Sequence, residues 1–125
     1  MLRYQDTLLK DSVYKGERDS MERWALIKPH VPNKGMVLDI GSNLGYFGVQ
    51  IVNSFPDVAV VSIESDPRII ARQKKVLASY KTTRICAIQG FINSSVTDAW
   101  VQTCDWFDLT LLLSIIHWFD DPAKV

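Results

Sequence analysis

Cysteine is scarce in this sequence, and neither sign of charge is in excess. Only Cys86 and Cys104 occur in 125 residues, and their spacing is not that of a metal site. We interpret both as small core residues of a protein in a reducing compartment. Lysine plus arginine and aspartate plus glutamate number 14 each, so the net charge is zero. The bulk charge therefore does not indicate a nucleic-acid partner or an anionic membrane.

The sequence also lacks a long hydrophobic run. The longest apolar stretch, residues 111–116, is interrupted by Ser114, and a helix that spans a bilayer needs about 20 apolar residues. Polar residues near the N-terminus interrupt any stretch that resembles a secretion signal. Hydrophobic residues make up 47% of the chain, which suffices for the core of one domain. We therefore predict a soluble, cytoplasmic protein of one domain that does not contact a membrane.

One stretch, residues 37–47, organises the rest of the chain. It reads VLDIGSNLGYF, in which apolar residues lead to Asp39, glycines stand at 41 and 45, and helical spacing follows. This order predicts a strand that ends, a tight turn and a helix. Glycine at both turn positions permits backbone angles that a Cβ would disfavour, and it lets a ligand approach the main chain. Asp39 adds a hydrogen-bond acceptor beside the turn.

Strands and helices alternate along the remainder of the sequence. We predict strands near residues 37–40, 58–63, 84–89 and 108–113, separated by helices at about 44–55, 66–80 and from 94 or 95 onward. Such alternation is typical of a doubly wound α/β fold with a mainly parallel sheet. Ligands of these folds bind beyond the carboxyl ends of the strands. Four residues fall at those ends: Gly41, Glu64, Phe91 and Ser114.

The N-terminal region, residues 1–35, is predicted to form an arm and one helix from about 19 to 28. In one interpretation this helix covers the sheet. In the other the arm is a flap over the ligand, with Tyr14 or Arg18 reaching a carboxylate group. Residues 36–125 then form the α/β core.

The glycine spacing distinguishes between classes of nucleotide. The turn reads Gly-x-x-x-Gly and not the Gly-x-Gly-x-x-Gly of dinucleotide sites, and Asn43 stands where that pattern has a glycine. Glu64 follows Gly45 by 19 residues, at the end of the second strand, where a carboxylate can accept hydrogen bonds from ribose hydroxyls. The sequence therefore favours an adenosine joined to something other than a pyrophosphate.

These residues resemble a known family. Residues 37–45 (VLDIGSNLG) look like the first motif of class I S-adenosylmethionine-dependent methyltransferases, a Rossmann-like fold. Residues 62–67 (SIESDP) and 107–119 (FDLTLLLSIIHWF) are similar to the family's second and fourth motifs. The likeness covers residues 36 to about 122, in the family's order and spacing. It implies an enzyme that transfers a methyl group from S-adenosylmethionine to an acceptor that the sequence does not identify.

The resemblance implies a role for each matching residue. The cofactor-binding candidates are Asp39, Gly41, Ser42, Asn43, Gly45, Tyr46, Glu64, Ser65, Phe91 and Ser114. Asp39 and the turn would hold the methionine part with its ammonium group, Glu64 the ribose and Ser65 the adenine side. The family often has Gly-Asp after its third strand. In this chain Gly90-Phe91 stands at that place, so Phe91 or Asn93 would contact the adenine. No metal is implied.

His117 is the candidate general base, since its pKa suits proton transfer and it follows the fourth strand. The alternative is a histidine packed beside Trp118 and Phe119 or bonded to a helix end. Its base role matters only for an acceptor that must lose a proton, because methyl transfer depends chiefly on alignment of the reacting atoms.

The family's sheet has seven strands, and this sequence supplies four, so the fold looks truncated after the fourth strand. Its exposed apolar edge predicts either a longer enzyme or a covering partner chain, including a second copy. Two other functions are weighed against the methyltransferase: a non-catalytic S-adenosylmethionine-binding partner or regulatory module, and an NAD-dependent oxidoreductase, which the glycine spacing disfavours.

Overall fold

A computed structural model describes residues 7–9, 12–14, 20–90, 102 and 104–112 of the chain. The elements in chain order are β1 (Thr7–Leu9), β2 (Ser12–Tyr14), α1 (Ser20–Ile27), a 3₁₀ helix (Lys28–His30), β3 (Lys34–Ile40), α2 (Tyr46–Ser54), β4 (Asp57–Glu64), α3 (Pro67–Tyr80), β5 (Ile85–Gln89) and β6 (Leu109–Leu111).

The centre of the fold is a parallel four-stranded sheet in the spatial order β5-β4-β3-β6. The predicted α/β fold with a parallel sheet is confirmed. From β3 the chain proceeds outward through β4 to β5, and β6 then pairs with the opposite side of β3. The strand order therefore reverses at β3, and the carboxyl end of β3 is the place where such sheets bind ligands.

One face of the sheet carries the larger core. Val37, Val58 and Val60 point from β3 and β4 toward α2, where Phe47 and Ile51 meet them in one buried cluster. These strand residues alternate with residues of the opposite face, as the two-residue period of a strand requires. The two crossovers from β3 to β4 and from β4 to β5 step in the same direction, so right-handed connections put α2 and α3 on the same face.

Helix α1 joins this core through Trp24 and Ile27, which are buried in the same cluster. The helix is two residues shorter than the predicted 19–28 and continues as a 3₁₀ turn that includes Pro29. Pro29 does not break the helical path because proline is tolerated in the first turn, where its missing N–H has no partner to lose. The flap residues Tyr14 and Arg18 have side chains outside the described part.

The opposite face of the sheet buries Leu38, Ile40 and Ile63, against which Cys104 and Phe107 pack. Cys104 is partly buried, whereas Cys86 on β5 is exposed. The prediction that both cysteines belong to the core is therefore wrong for Cys86, which lies on an outer strand of the described sheet.

Helix α3 begins as predicted. The Asp66 side chain accepts a hydrogen bond of 2.8 Å from the Arg68 N–H, and Pro67 occupies the first helical position. The antiparallel pair β1–β2 was not predicted, and the helix expected from 94 or 95 lies outside the described residues. No helix in the described ranges combines the length and apolar character needed to cross a membrane.

Candidate functional site at the carboxyl end of β3

The turn that follows β3 has three residues with positive φ. Gly41 and Gly45 have φ of 72° and 83°, as the sequence led us to expect, and Asn43 has φ of 54°. Asparagine enters this region more readily than most residues because its short polar side chain can bond locally. The Asn43 Oδ1 accepts a hydrogen bond of 2.9 Å from the Leu44 N–H. Asn43 therefore serves where a dinucleotide turn has glycine.

Every backbone N–H of residues 41–45 donates to an acceptor inside the protein. The N–H groups of Gly41 and Ser42 both donate to the Ile63 carbonyl oxygen, at 2.8 and 3.0 Å. The Asn43 N–H donates to Glu64 Oε1 at 2.9 Å, and the Leu44 N–H donates to Asn43 Oδ1. The Gly45 N–H donates to the Ser42 carbonyl oxygen at 3.0 Å. A dinucleotide turn instead directs its N–H groups at the pyrophosphate. These five donors are already used, so this turn is ill suited to hold a phosphate.

Glu64 connects the turn to the start of α3. Its Oε1 accepts from the Asn43 N–H, and its Oε2 accepts from the Asp66 N–H at 3.0 Å. The side chain is only 2% exposed. A carboxylate has about four acceptor positions, so two remain for other donors. Glu64 thus braces the turn and keeps the acceptor capacity that a ribose diol would require.

Asp39 is buried with an unsatisfied oxygen. It is 2% exposed, and its Oδ2 has no hydrogen-bond partner in the described structure. Burial, and secondarily the negative charge of Glu64, raises the pKa of Asp39 to about 7. Its register partner on β4, Ser62, is fully buried and likewise has a hydroxyl without a partner among the described residues. Buried polar atoms are normally bonded, so this pair marks a place for an additional donor.

Ser42 points into the protein and bonds to α3. Its hydroxyl lies 3.0 Å from Gln73 Nε2, which donates to it, and 3.3 Å from Gln73 Oε1. Both side chains are completely buried. Sequence reasoning did not assign Gln73 or Ser62 to the site. The available signal was that each is an uncharged polar residue in an otherwise apolar pattern, on the buried stripe of α3 and within the β4 run.

These residues form a buried polar cluster, defined as Asp39, Ser42, Ser62, Glu64 and Gln73. In the described part of the chain the buried polar or charged residues number six, and the cluster contains all of them except Ser20. Its members include two carboxyl groups and no cationic side chain. The described residues also include no group of three His, Cys, Asp or Glu that suits a metal ion. The cluster is therefore chemically suited to accept hydrogen bonds from a cationic or hydroxyl-bearing ligand.

The structure brings most of the predicted site residues to this one edge. The turn residues, Asp39 and Glu64 lie together, and the half-buried Ser65 directly follows β4. Tyr46 follows the turn, but its ring is buried in the core, 5.3 Å from the Phe47 ring in an edge-to-face arrangement. Three predicted residues, Phe91, Ser114 and His117, lie outside the described ranges.

Comparisons with solved structures find the same fold in methyltransferases at low sequence identity. The bifunctional kinase-methyltransferase WbdD aligns with a TM-score of 0.69 and 19% identity, over 83% of this chain and 24% of that one. Coclaurine N-methyltransferase, in a complex with N-methylheliamine and SAH, aligns with a TM-score of 0.52 and 11% identity, over 60% and 24% of the two chains. The YcgJ protein of Bacillus subtilis gives 0.50 and 16%, over 58% and 30%.

This chain thus spans only 24–30% of the length of these structures. No protein-family model matches the sequence, and no curated protein matches it. The likeness establishes the Rossmann-like α/β fold that methyltransferases use.

Proposed function

We propose that this chain binds S-adenosylmethionine at the carboxyl end of β3 and serves in methyl transfer to an acceptor. The observation that carries the proposal is the unpartnered Oδ2 of buried Asp39, beside Glu64 and beneath a turn whose N–H groups are all used internally. The fold shared with methyltransferase structures supports the same conclusion.

The hydrogen-bonding capacity of the site fits this cofactor. Asp39 lacks a donor, and the ammonium group of the methionine part is a charged donor. Glu64 retains acceptor positions, and a ribose diol supplies two hydroxyl donors. A nicotinamide dinucleotide would place a pyrophosphate against the turn, and the N–H groups of residues 41–45 are not free to bind it. The residues therefore favour the sulfonium cofactor over NAD.

Each residue would contribute binding or orientation. S-adenosylmethionine, when bound, supplies a methyl group on a sulfonium sulfur that a nucleophile can displace in line. Asp39 would hold the ammonium group and Glu64 the ribose. The turn would lie against the methionine part without donating from its N–H groups, which are used internally, and Ser65 and Phe91 would lie beside the adenine. Ser114 would face the amino-acid end. His117 would accept the proton of an acceptor that must lose one, and alignment would supply most of the rate.

Isothermal titration with S-adenosylhomocysteine and with NAD tests the cofactor assignment. We expect saturable binding of the first and none of the second. Asp39→Asn should weaken the binding, and Asp57→Asn, the same change at an exposed aspartate at the start of β4, should not. Binding of NAD alone, or equal effects of the two variants, would contradict the proposal.

A labelled-methyl transfer assay separates the enzyme from a non-catalytic module that binds the same cofactor. Transfer to an acceptor in a cell extract supports the enzyme, and binding without transfer supports the module.

We also propose that residues 36–125 form the cofactor-binding core and residues 1–35 the arm with its covering helix. The edge of β6 that faces away from β3 would then pair with further chain of a longer enzyme or with a second copy of this chain. Light scattering distinguishes a pair of copies from a monomer.

A further inference from the structure

Helix α3 contacts the turn of residues 41–45 through a buried glutamine. Gln73 is completely buried on α3, and its side-chain amide bonds to the hydroxyl of Ser42, 31 residues earlier in the chain. A buried amide without partners is costly, and this one has found a partner in the turn itself. The contact joins the first crossover of the sheet to the second.

Gln73 also occupies the space beside Gly45. A Cβ on Gly45 would lie 2.7 Å from Gln73 Nε2 and 3.1 Å from its Cγ. The absence of a side chain at Gly45 therefore serves two purposes, since it permits φ of 83° and leaves room for the glutamine. Gln73 thus contacts the turn at its second and fifth residues.

The turn has a second connection to the same part of the chain. Glu64 bonds to the N–H groups of Asn43 and Asp66, and Asp66 is the N-cap of α3. The first connection runs through Glu64 to the N-cap of α3, and the second runs through Gln73, about two turns into the helix. Two connections to one rigid helix fix the position of the turn relative to Glu64 better than either could alone.

We propose that Gln73 is a positioning residue that fixes the shape of the 41–45 turn and thereby the cofactor site. The effect of Gln73 on cofactor binding rests on the proposed function, whereas its effect on the shape of the turn is independent of it. Gln73 would not touch the cofactor. It acts through Ser42 and Gly45, and its removal would let the turn move away from the geometry in which Asp39 and Glu64 act together.

The experiment compares Gln73→Met, Ser42→Ala, the double variant and Gln102→Met. Methionine keeps most of the volume beside Gly45 and removes only the hydrogen bonds, and Gln102 is exposed, so its substitution is a matched control. Hydrogen exchange by NMR in the ligand-free protein should become faster at the Asn43 and Gly45 amides and stay unchanged in β3. Titration should show affinity for S-adenosylhomocysteine about tenfold weaker, the size expected for the loss of one or two hydrogen bonds.

Because both single variants remove the same contact, the double variant should bind no more weakly than either one. Unchanged turn amides in Gln73→Met, or a control that behaves like it, would overturn the proposal. If Gln73→Met does not fold, Ser42→Ala provides the same measurements. If the wild-type protein binds no S-adenosylhomocysteine while the turn amides respond as expected, the proposed function fails and the role of Gln73 in the turn stands.

Discussion

Replacement of Asp39 by asparagine probes the energetic consequence of burying a carboxyl group without a partner. Its pKa is raised from 3.8 to about 7 in the folded protein. Between these values the unfolded chain loses the proton and the folded protein keeps it, so the free energy of unfolding falls as the pH rises. Each pH unit in this interval corresponds to about 1.4 kcal/mol, which gives at most about 4 kcal/mol by pH 7. Asparagine resembles the protonated acid and does not titrate.

Urea denaturation at a series of pH values between 4 and 8 measures this effect. The difference in unfolding free energy between Asp39→Asn and wild type should grow with pH, in favour of the variant, and level off above pH 7. Asp57→Asn, at an exposed position, should keep the wild-type profile. Asp66 does not interfere, because its hydrogen bonds with Arg68 lower its pKa and place its contribution below this interval. A stability difference that does not change with pH would refute the reasoning.

Four further results are expected. Affinity for S-adenosylhomocysteine should rise with pH by up to about tenfold per unit below pH 7, because Asp39 must ionise to pair with an ammonium group, and titration should find no such rise in Asp39→Asn. Glu64→Ala should weaken the binding of S-adenosylhomocysteine by about 1–3 kcal/mol. If the variant is less stable but binds with unchanged affinity when folded, Glu64 only holds the turn in place and does not bind the ribose. Gly45→Ala should destabilise the fold by about 1–3 kcal/mol on denaturation, because its φ of 83° disfavours a Cβ that would also meet Gln73. Arg84→Met should lower the free energy of unfolding by about 2–3 kcal/mol and leave the affinity unchanged. The Arg84 guanidinium donates to three carbonyl oxygens at the end of α2 and the start of β4, far from the turn. A loss of affinity as large as the loss of stability would contradict this.

The sheet could be predicted from the sequence because its strands are short, apolar and punctuated. The run at residues 58–63 and the cap formed by Asp66 and Pro67 locate β4 and α3 to within one residue. The antiparallel pairing of β1 with β2 could not be predicted, since three-residue strands carry no measurable period. Cysteine is a residue type that is usually buried, which favours a core position for Cys86. Its burial depends, however, on the place of its strand in the sheet, which spacing alone does not give.

The site could be predicted in outline and not in its internal contacts. Glycine spacing and the carboxylate after the second strand predict the strand ends at which the proposed nucleoside site lies. They do not indicate that Glu64 accepts from the Asn43 N–H or that Ser42 turns inward, since both depend on how two crossovers pack together. Gln73 was visible only as an exception on the buried stripe of α3, and one such exception in a single sequence does not reveal its partner.

Five of the six buried polar or charged residues in the described part of the chain lie in the buried polar cluster. Asp39, Ser62 and Glu64 lie on the same face of two neighbouring strands, because residues two apart on β4 point the same way and Asp39 is the register partner of Ser62. Apolar residues at Asp39 and Ser62 would serve stability better, since both carry buried oxygens without partners. These unfavourable buried groups occur together at the end of the strand where the order of the sheet reverses, which is where such sheets bind ligands, and this coincidence is the physical basis for the proposed cofactor site.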